Sequence, residues 1–321
     1  IGAQVTARLR ATGIERVRLP AGLSVSQALA HYRARPEVRL AEPNYLSRLT
    51  RLPNDPLFTS QEYLVQIQAP QAWDLGIGSA SVVVAVIDSG VDTAHPDLQG
   101  KLWTNPGEIP NNDTDDDNND YVDDYYGWDF VQGGPDPNPD PNGEDDDGID
   151  GPDTGVLHGT AVAGLIGALT DNNLGVASLG WNVKVMALQT HDDEGYATYL
   201  AIAEAIEYAV AMGAQVINLS TSGPYSNILQ LSIDVAYTQN RVVAAAAGNE
   251  GVDLDSNLQS PVCNDGAGNH VIGVAAVDSQ DLCPYWSNYG SNYIDVCAPG
   301  TDILSTWYQN PTYGFDQPYG Y

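Results

Sequence analysis

Positive charge is almost missing from most of this 321-residue chain. Beyond position 51 only Lys101, Lys184 and Arg241 stand against 39 acidic residues, which excludes a general affinity for nucleic acid phosphates or anionic membrane surfaces. No apolar run approaches the ~18 residues of a membrane-spanning helix; Val82 to Ile87 is short and bounded by polar residues. Neither nucleic acid nor a membrane is therefore expected as a partner. Cysteine is scarce: Cys263, Cys283 and Cys297 exclude a disulfide-stapled miniprotein, and none has metal-site spacing. One disulfide in any of three pairings, or three small buried hydrophobes, both remain open. No basic-then-apolar signal segment precedes Ile1, so an earlier segment has been removed or the chain is a fragment. What is present, 43% hydrophobic residues, can bury one large core and a small satellite domain.

The missing positive charge is gathered at one end. Residues 1–51 hold nine Arg against Glu15, Glu37 and Glu42, and this change in composition marks a domain boundary near Arg51 to Asp55. The basic segment reads as strand, helix, strand: Ile14 to Leu19; a helix opened by Ser24 and Gln27 as a capping box over Val25, Leu29 and Tyr32; then Val38 to Ala41. About fifty residues with one helix make a poor core of their own, so this segment is expected to pack on a surface of opposite charge.

Beyond residue 80, β-rich runs alternate with helical stretches. The runs are Ser81 to Ile87, Val183 to Leu188, Gln215 to Leu219, Arg241 to Ala247 and Val271 to Val277, with helices near Gly159 to Leu169, Ala197 to Met212 and Ser226 to Thr238. Nearly continuous apolar strands separated by helices predict a doubly wound, mainly parallel α/β sheet covered on both faces. Such sheets place ligands beyond the carboxyl ends of their strands.

At those ends stand Asp88 (VVVAVIDSGVD), Ser220 (VINLSTSG) and Asn249 (VVAAAAGNEG), and His158 opens HGTAVAGLIGAL at an expected helix start. A carboxylate that fixes an imidazole tautomer, an imidazole that takes a proton from a nucleophile, and an amide that donates to a developing oxyanion are what acyl transfer needs. Singly these residues are a turn former, a helix cap and an Asn-Glu-Gly turn. Together, VIDSGVDTAHPDL, HGTAVAG, VINLSTSGP, AAAAGNEG and SNYGSNYIDVCAPGTDILST resemble the subtilisin-like serine proteases, in the family's order across most of residues 53–306. The resemblance implies that Asp88 is the triad acid, His158 the general base and Asn249 the oxyanion donor. It also implies that an extended peptide or protein substrate pairs along Ser220, Thr221, Ser222 and Gly223. That segment departs from the family's Ser-Leu-Gly-Gly, and Ala161 replaces a His common after HGT.

The family's Gly-Thr-Ser-Met-Ala, which supplies the nucleophile, does not follow Ala298-Pro299-Gly300 before Tyr321. The expectation is a truncated representative of an active gene product, itself unable to hydrolyse peptide bonds. Residues 1–50, with AEPNY at Ala41 to Tyr45, resemble the latter part of the family's inhibitory propeptide, and residues 51–321 an incomplete catalytic domain. Cleavage is expected between Leu46 and Asn54. Such a propeptide implies a secreted zymogen, expected to be monomeric.

Residues 113–153 carry fifteen Asp. Carboxylates a few ångströms apart repel by roughly 1 kcal/mol per pair even in a water-like dielectric, so a cation is expected among them. Asp115, Asp117, Asn119 and Tyr121 alternate oxygen ligands as Ca²⁺ loops do, with Asp123 or Asp124 closing the shell, and Trp103, Tyr125, Trp128 and Phe130 offer a small core around them. NNDTDDDNNDYVDDYYGWDF also resembles a calcium-binding insertion of some family members. The resemblance suggests a second Ca²⁺ site from Asp55, Asp97 and Asn172. Gly133 to Gly155 reads as a solvated acidic run. Adaptation to high salt rivals calcium as the reason for the acidity. Asp192, Asp193 and Glu194 read as a solvent-facing turn, with a bias toward basic substrates as the alternative. Two other functions stand against the protease: a calcium-binding pseudoprotease that grips peptides through the Ser220 segment, and a metal-dependent hydrolase using His158 and the Asp cluster. The second lacks zinc ligand spacing.

Overall fold

A computed structural model describes residues 1–45, 52–139 and 155–321. The chain divides into two units, Ile1–Leu49 and Thr50–Tyr321. In the first, strands β1 (Gln4–Arg8) and β2 (Glu15–Arg18) pair antiparallel across a turn in which Gly13 takes a φ of 72°, and helix α1 (Val25–Arg33) follows. The capping box forms as the sequence predicts: Ser24 Oγ accepts from Gln27 N at 3.2 Å and Gln27 Oε1 accepts from Ser24 N at 3.1 Å. The predicted strand order is corrected. Val38 to Ala41 takes no regular structure, bracketed by Pro36 and Pro43, which cannot donate to a ladder; the partner of β2 lies upstream instead. Among the described residues of this unit only Ala28 is buried, as its small size requires.

The second unit opens with short helices α2 (Glu62–Gln66) and α3 (Ala69–Trp73), whose Tyr63, Leu64 and Trp73 pack with Trp181. There follow β3 (Val83–Asp88), β4 (Gly127–Asp129), α4 (Gly155–Gly167), β5 (Lys184–Gln189), α5 (Tyr199–Ala211), β6 (Val216–Leu219), β7 (Gly223–Pro224), α6 (Asn227–Thr238) and β8 (Val242–Ala246). The chain continues through β9 (Gln259–Ser260), β10 (Val271–Val277), β11 (Val296–Pro299), β12 (Ser305–Thr306) and β13 (Tyr319–Gly320).

Seven strands form one sheet in the order β11-β10-β8-β6-β3-β5-β4, every neighbouring pair parallel. Alternation along β3 shows why its sequence is apolar throughout. Val86 faces Ala163 of α4 with Val185 and Ala187, while Val83, Ala85 and Ile87 face Ile202 and Ile206 of α5 and Ile233 of α6. The fold is thus the α/β sheet read from the sequence. All five predicted runs are strands, Val271 to Val277 with the bounds expected and the others with ends displaced by at most two residues; the three- and four-residue strands β4 and β11 carry too little periodicity to be seen.

Two local expectations change. Helix α4 begins at Gly155, so His158 lies inside its first turn rather than at its start. The acidic run is exposed at Gly133, Pro135 and Asp136 as expected but is packed over Pro137 to Pro139, where both prolines are buried, Pro137 O accepts from Val91 N at 2.9 Å and Asn138 Oδ1 accepts from Thr93 N at 2.8 Å. The rest of that run, 140–154, and the expected cleavage region from 46 to 51 lie outside the described residues. The three cysteines are free thiols; Cys263 is buried as a small apolar residue, and Cys283 and Cys297 are exposed.

Candidate active site

Parallel strands end on one rim, and three adjacent strands deliver the polar residues there. Asp88 closes β3, Ser220 follows β6, and Asn249 lies three residues beyond β8, in the sheet order β8-β6-β3. Asp88 is 3% exposed, and its Oδ1 accepts from Ser89 N at 2.8 Å and lies 2.7 Å from His158 Nδ1. With Nδ1 donating to the carboxylate, the neutral imidazole keeps Nε2 free to accept a proton.

Helix α4 reaches the strand end through a missing side chain. A Cβ on Gly159 would lie 2.1 Å from Gly90 O and 3.2 Å from Asp88 Cβ, so only glycine permits this approach. Gly159 N donates to Ser89 Oγ at 3.1 Å and Asp92 N to Thr160 Oγ1 at 3.0 Å, fastening the first turn to residues 88–92. The electrostatics of the pair are reciprocal. Asp88's charge and hydrogen bond raise the His158 pKa against burial, whereas burial works to raise the Asp88 pKa and is outweighed by His158, leaving that carboxyl below its ordinary range. Among the described residues the buried Asp88 Oδ2 has no hydrogen-bond partner, so the carboxylate's hydrogen bonds to Ser89 N and the imidazole both fall on Oδ1.

Ser220 to Gly223 is not a continuous strand. Only Gly223 is paired, in β7, antiparallel to Ser260 of β9. Ser220 Oγ accepts from Asn218 Nδ2 at 2.9 Å, Thr221 Oγ1 lies 3.1 Å from His191 Nε2, and Ser222 Oγ donates to Gln259 Oε1. Asn249 itself is exposed, on a loop shaped by a residue that sequence reasoning missed. Buried Asn288 donates to Ala247 O at 2.9 Å and accepts from Glu250 N at 3.1 Å and Val252 N at 2.9 Å. Gly248, at φ 100°, brings this loop against Ser222: a Cβ there would stand 2.5 Å from both Ser222 Oγ and Asn288 Nδ2. The signal for Asn288 lay in the SNYGSNY segment, but an amide that props a loop has no sequence pattern of its own.

The acidic residues form two groups. Asp115 and Asp117 do converge, with Glu108, which the sequence reading missed because it lies seven and nine residues before them; one oxygen from each falls within 4.8 Å of the others. Glu108 is buried, and among the described residues its Oε2 has no hydrogen-bond partner. A buried orphan carboxylate oxygen beside two more carboxylates fits a hard cation. The remaining expected ligands are engaged elsewhere. Asp123 accepts from the backbone of Asn112 and Asp113, and Asp124, fully buried, accepts from Asn105 Nδ2 at 2.7 Å, Tyr208 Oη at 2.6 Å and Asn119 Nδ2 at 2.9 Å. Asn119 Oδ1 accepts from Tyr121 N at 2.7 Å, and the Tyr121 ring packs edge-on against Trp128 and Tyr208. No histidine belongs to this group, so among the described residues His158 and the Asp cluster form no joint metal centre.

Asp55, Asp97 and Asn172 also meet. Asp55 Oδ2 accepts from Asp171 N at 2.8 Å, and Asp97 accepts from Asn172 Nδ2 at 2.9 Å and Val176 N at 3.0 Å. Burial first, and the charge of Asp55 further down, push the Asp97 carboxyl up to about 6. Two buried carboxylates, the charge of one raising the other's cost of ionising, likewise fit a cation. Residues 192–196 form the predicted turn, Asp192 N donating to Tyr196 O at 2.9 Å.

The subtilase family sequence pattern matches residues 79–320, and the fervidolysin N-terminal prodomain matches residues 1–44. The chain belongs to the subtilase family. It is 37% identical to thermitase of Thermoactinomyces vulgaris, over 81% of this chain and 77% of thermitase. It is 34% identical to halolysin of Haloferax mediterranei over 87% of its own length, yet spans only 46% of that relative. Among solved structures, one described as proteases from Pseudoalteromonas arctica superposes with a TM-score of 0.66 at 31% identity, covering 84% of this chain and 81% of the other. Subtilases are serine endopeptidases, and the chain is a subtilisin-like protease sequence preceded by a propeptide-type segment.

Proposed function

We propose that this subtilase chain carries the acid, base and oxyanion donor of a secreted, calcium-stabilised serine endopeptidase, with residues 1–50 as its inhibitory propeptide and residues 51–321 in its catalytic domain. The observation that carries the reading is the 2.7 Å contact between Asp88 Oδ1 and His158 Nδ1, made at the end of β3, beside β6, which leads to Ser220, and one strand removed from β8, which leads to Asn249. In this reading Asp88 holds His158 in the tautomer whose Nε2 is basic and stabilises the imidazolium once formed. His158 takes the proton of an attacking hydroxyl and returns it to the leaving amine. Asn249 donates its amide to the oxyanion of the tetrahedral intermediate. A peptide lies extended along Ser220 to Gly223, read by main chain first.

The attacking serine of the family's Gly-Thr-Ser motif is not among these 321 residues, so the chain alone holds the proton-transfer apparatus without an attacking atom. The purified 321-residue protein is expected to leave casein undigested. Casein hydrolysis that disappears in His158→Ala would overturn the absence of an attacking atom while supporting the endopeptidase reading, and casein hydrolysis unaffected by His158→Ala would overturn His158 as its base. For calcium, Glu108, Asp115 and Asp117 would hold one ion and Asp55, Asp97 and Asn172 a second. Ca²⁺, when bound, would supply the counter-charge to these carboxylates.

A further inference from the structure

His191 was assigned no role by motif or composition, yet it occupies a singular place on the rim. Strands β5 and β6 are not neighbours; β3 lies between them, so their ends flank Asp88 on either side. His191 stands two residues beyond β5 and is buried. Its backbone N donates to Asp88 O at 3.2 Å, beside Thr190 N, which donates to the same oxygen at 2.8 Å. From there the ring crosses the end of β3: Nδ1 lies 3.0 Å from Thr190 Oγ1 and Nε2 lies 3.1 Å from Thr221 Oγ1, in the segment just past β6. One side chain thereby links the two flanking strand ends over the carboxylate.

We propose that His191 is a positioning residue that ties the peptide-binding segment Ser220–Gly223 to the end of the strand bearing Asp88, and so sets where a bound peptide backbone lies relative to the Asp88–His158 pair. The inference rests on the reading of Ser220–Gly223 as the peptide-binding segment. The chemistry suits the task. Backbone pairing along Ser220 to Gly223 fixes a peptide only as well as that segment is itself fixed, and beyond Leu219 the sheet no longer holds it until Gly223 pairs with Ser260. Burial lowers the His191 pKa despite the charge of Asp88, so the ring is neutral near neutral pH. A neutral ring has one donor and one acceptor nitrogen, which matches two threonine hydroxyls, and it leaves the carboxylate to His158.

The test uses the whole 321-residue chain and a fluorescein-labelled casein peptide, with binding followed by fluorescence anisotropy. A side-chain hydrogen bond of ordinary net strength predicts that His191→Ala weakens binding about fivefold, and Thr221→Val by a similar factor. Because both changes break one bond, the double variant is expected to lose no more than either single one, and His191→Gln, whose amide can reach the hydroxyl, to recover most of the affinity. A residue that only supported the fold would lower the melting temperature without this pattern. If His191→Ala fails to fold, Thr221→Val cuts the same bond from the other end with little change in volume. Binding by His191→Ala equal to that of the unaltered chain, or losses that multiply in the double variant, would overturn the inference while peptide binding stands. No binding by the unaltered chain, either intact or after cleavage between Leu46 and Asn54 has released the proposed inhibitory segment, would overturn the peptide-segment reading itself, and this inference with it.

Discussion

Asp88 and His158 each move the other's protonation in the direction that favours an ion pair, and this gives the site a definite pH window. His158 is raised from its ordinary 6.5, so its contribution to stability is complete below that value and is lost as pH rises through the folded pKa. Asp88 is lowered from its ordinary 3.8, so its contribution is present above that value and is lost as pH falls through the folded pKa. Both are present together between about 4 and 6.5. Asp88→Asn removes the larger cause of the His158 shift. Proton NMR titration of the His158 ring should then show a lower pKa than in the unaltered chain; an unchanged value would mean that Asp88 does not govern the imidazole. These two residues were legible from the sequence because each sits at the edge of an element: an acid ending an apolar run, and a histidine beside a helix rich in small residues. Glu108, His191 and Asn288 were not, since their partners lie across loops or on other strands and no periodicity reports such a meeting.

Helix α4 is the element on which this site turns, because it carries His158 and has no freedom to retreat from β3. Its approach depends on Gly159, where an added methyl would collide with Gly90 O, a backbone atom that cannot rotate away. Gly159→Ala is therefore expected to cost about 1–3 kcal/mol in urea denaturation and to lower the raised His158 pKa by pulling the first turn from Asp88. Wild-type stability with an unchanged His158 titration would refute the close-packing argument. Helices α5 and α6 were read nearly to the residue because they carry their own start signals. Thr198 Oγ1 accepts from Ala201 N at 3.1 Å and Ser226 Oγ from Ile228 N at 3.2 Å. The order of the basic segment was misread for the opposite reason: Gln4 to Arg8 mixes polar and apolar residues, and a two-stranded pairing has no sheet face to impose a pattern.

Across the whole molecule the unresolved competition is between ion sites and salt as the use of a net charge of −30. An ion that binds only the folded state stabilises it by about 2.7 kcal/mol when free ion reaches a hundred times its Kd. The melting temperature is accordingly expected to rise with micromolar Ca²⁺ over a chelator-treated baseline, and Glu108→Gln to shrink that rise. A melting temperature that responds only to molar KCl would remove both calcium sites and leave self-repulsion of the acidic surface as the governing effect. The sequence by itself determined the parallel α/β layering, because apolar runs are local properties; its charge segregation marked a change of composition near residue 51, and its resemblance to the subtilisin-like proteases pointed to Asp88, His158 and Asn249 as candidates. Only the tertiary structure decided which acidic residues converge, what closes across the end of β3 and how Asn249's loop is held. Those depend on distances between segments far apart in the chain, and such distances are set by packing.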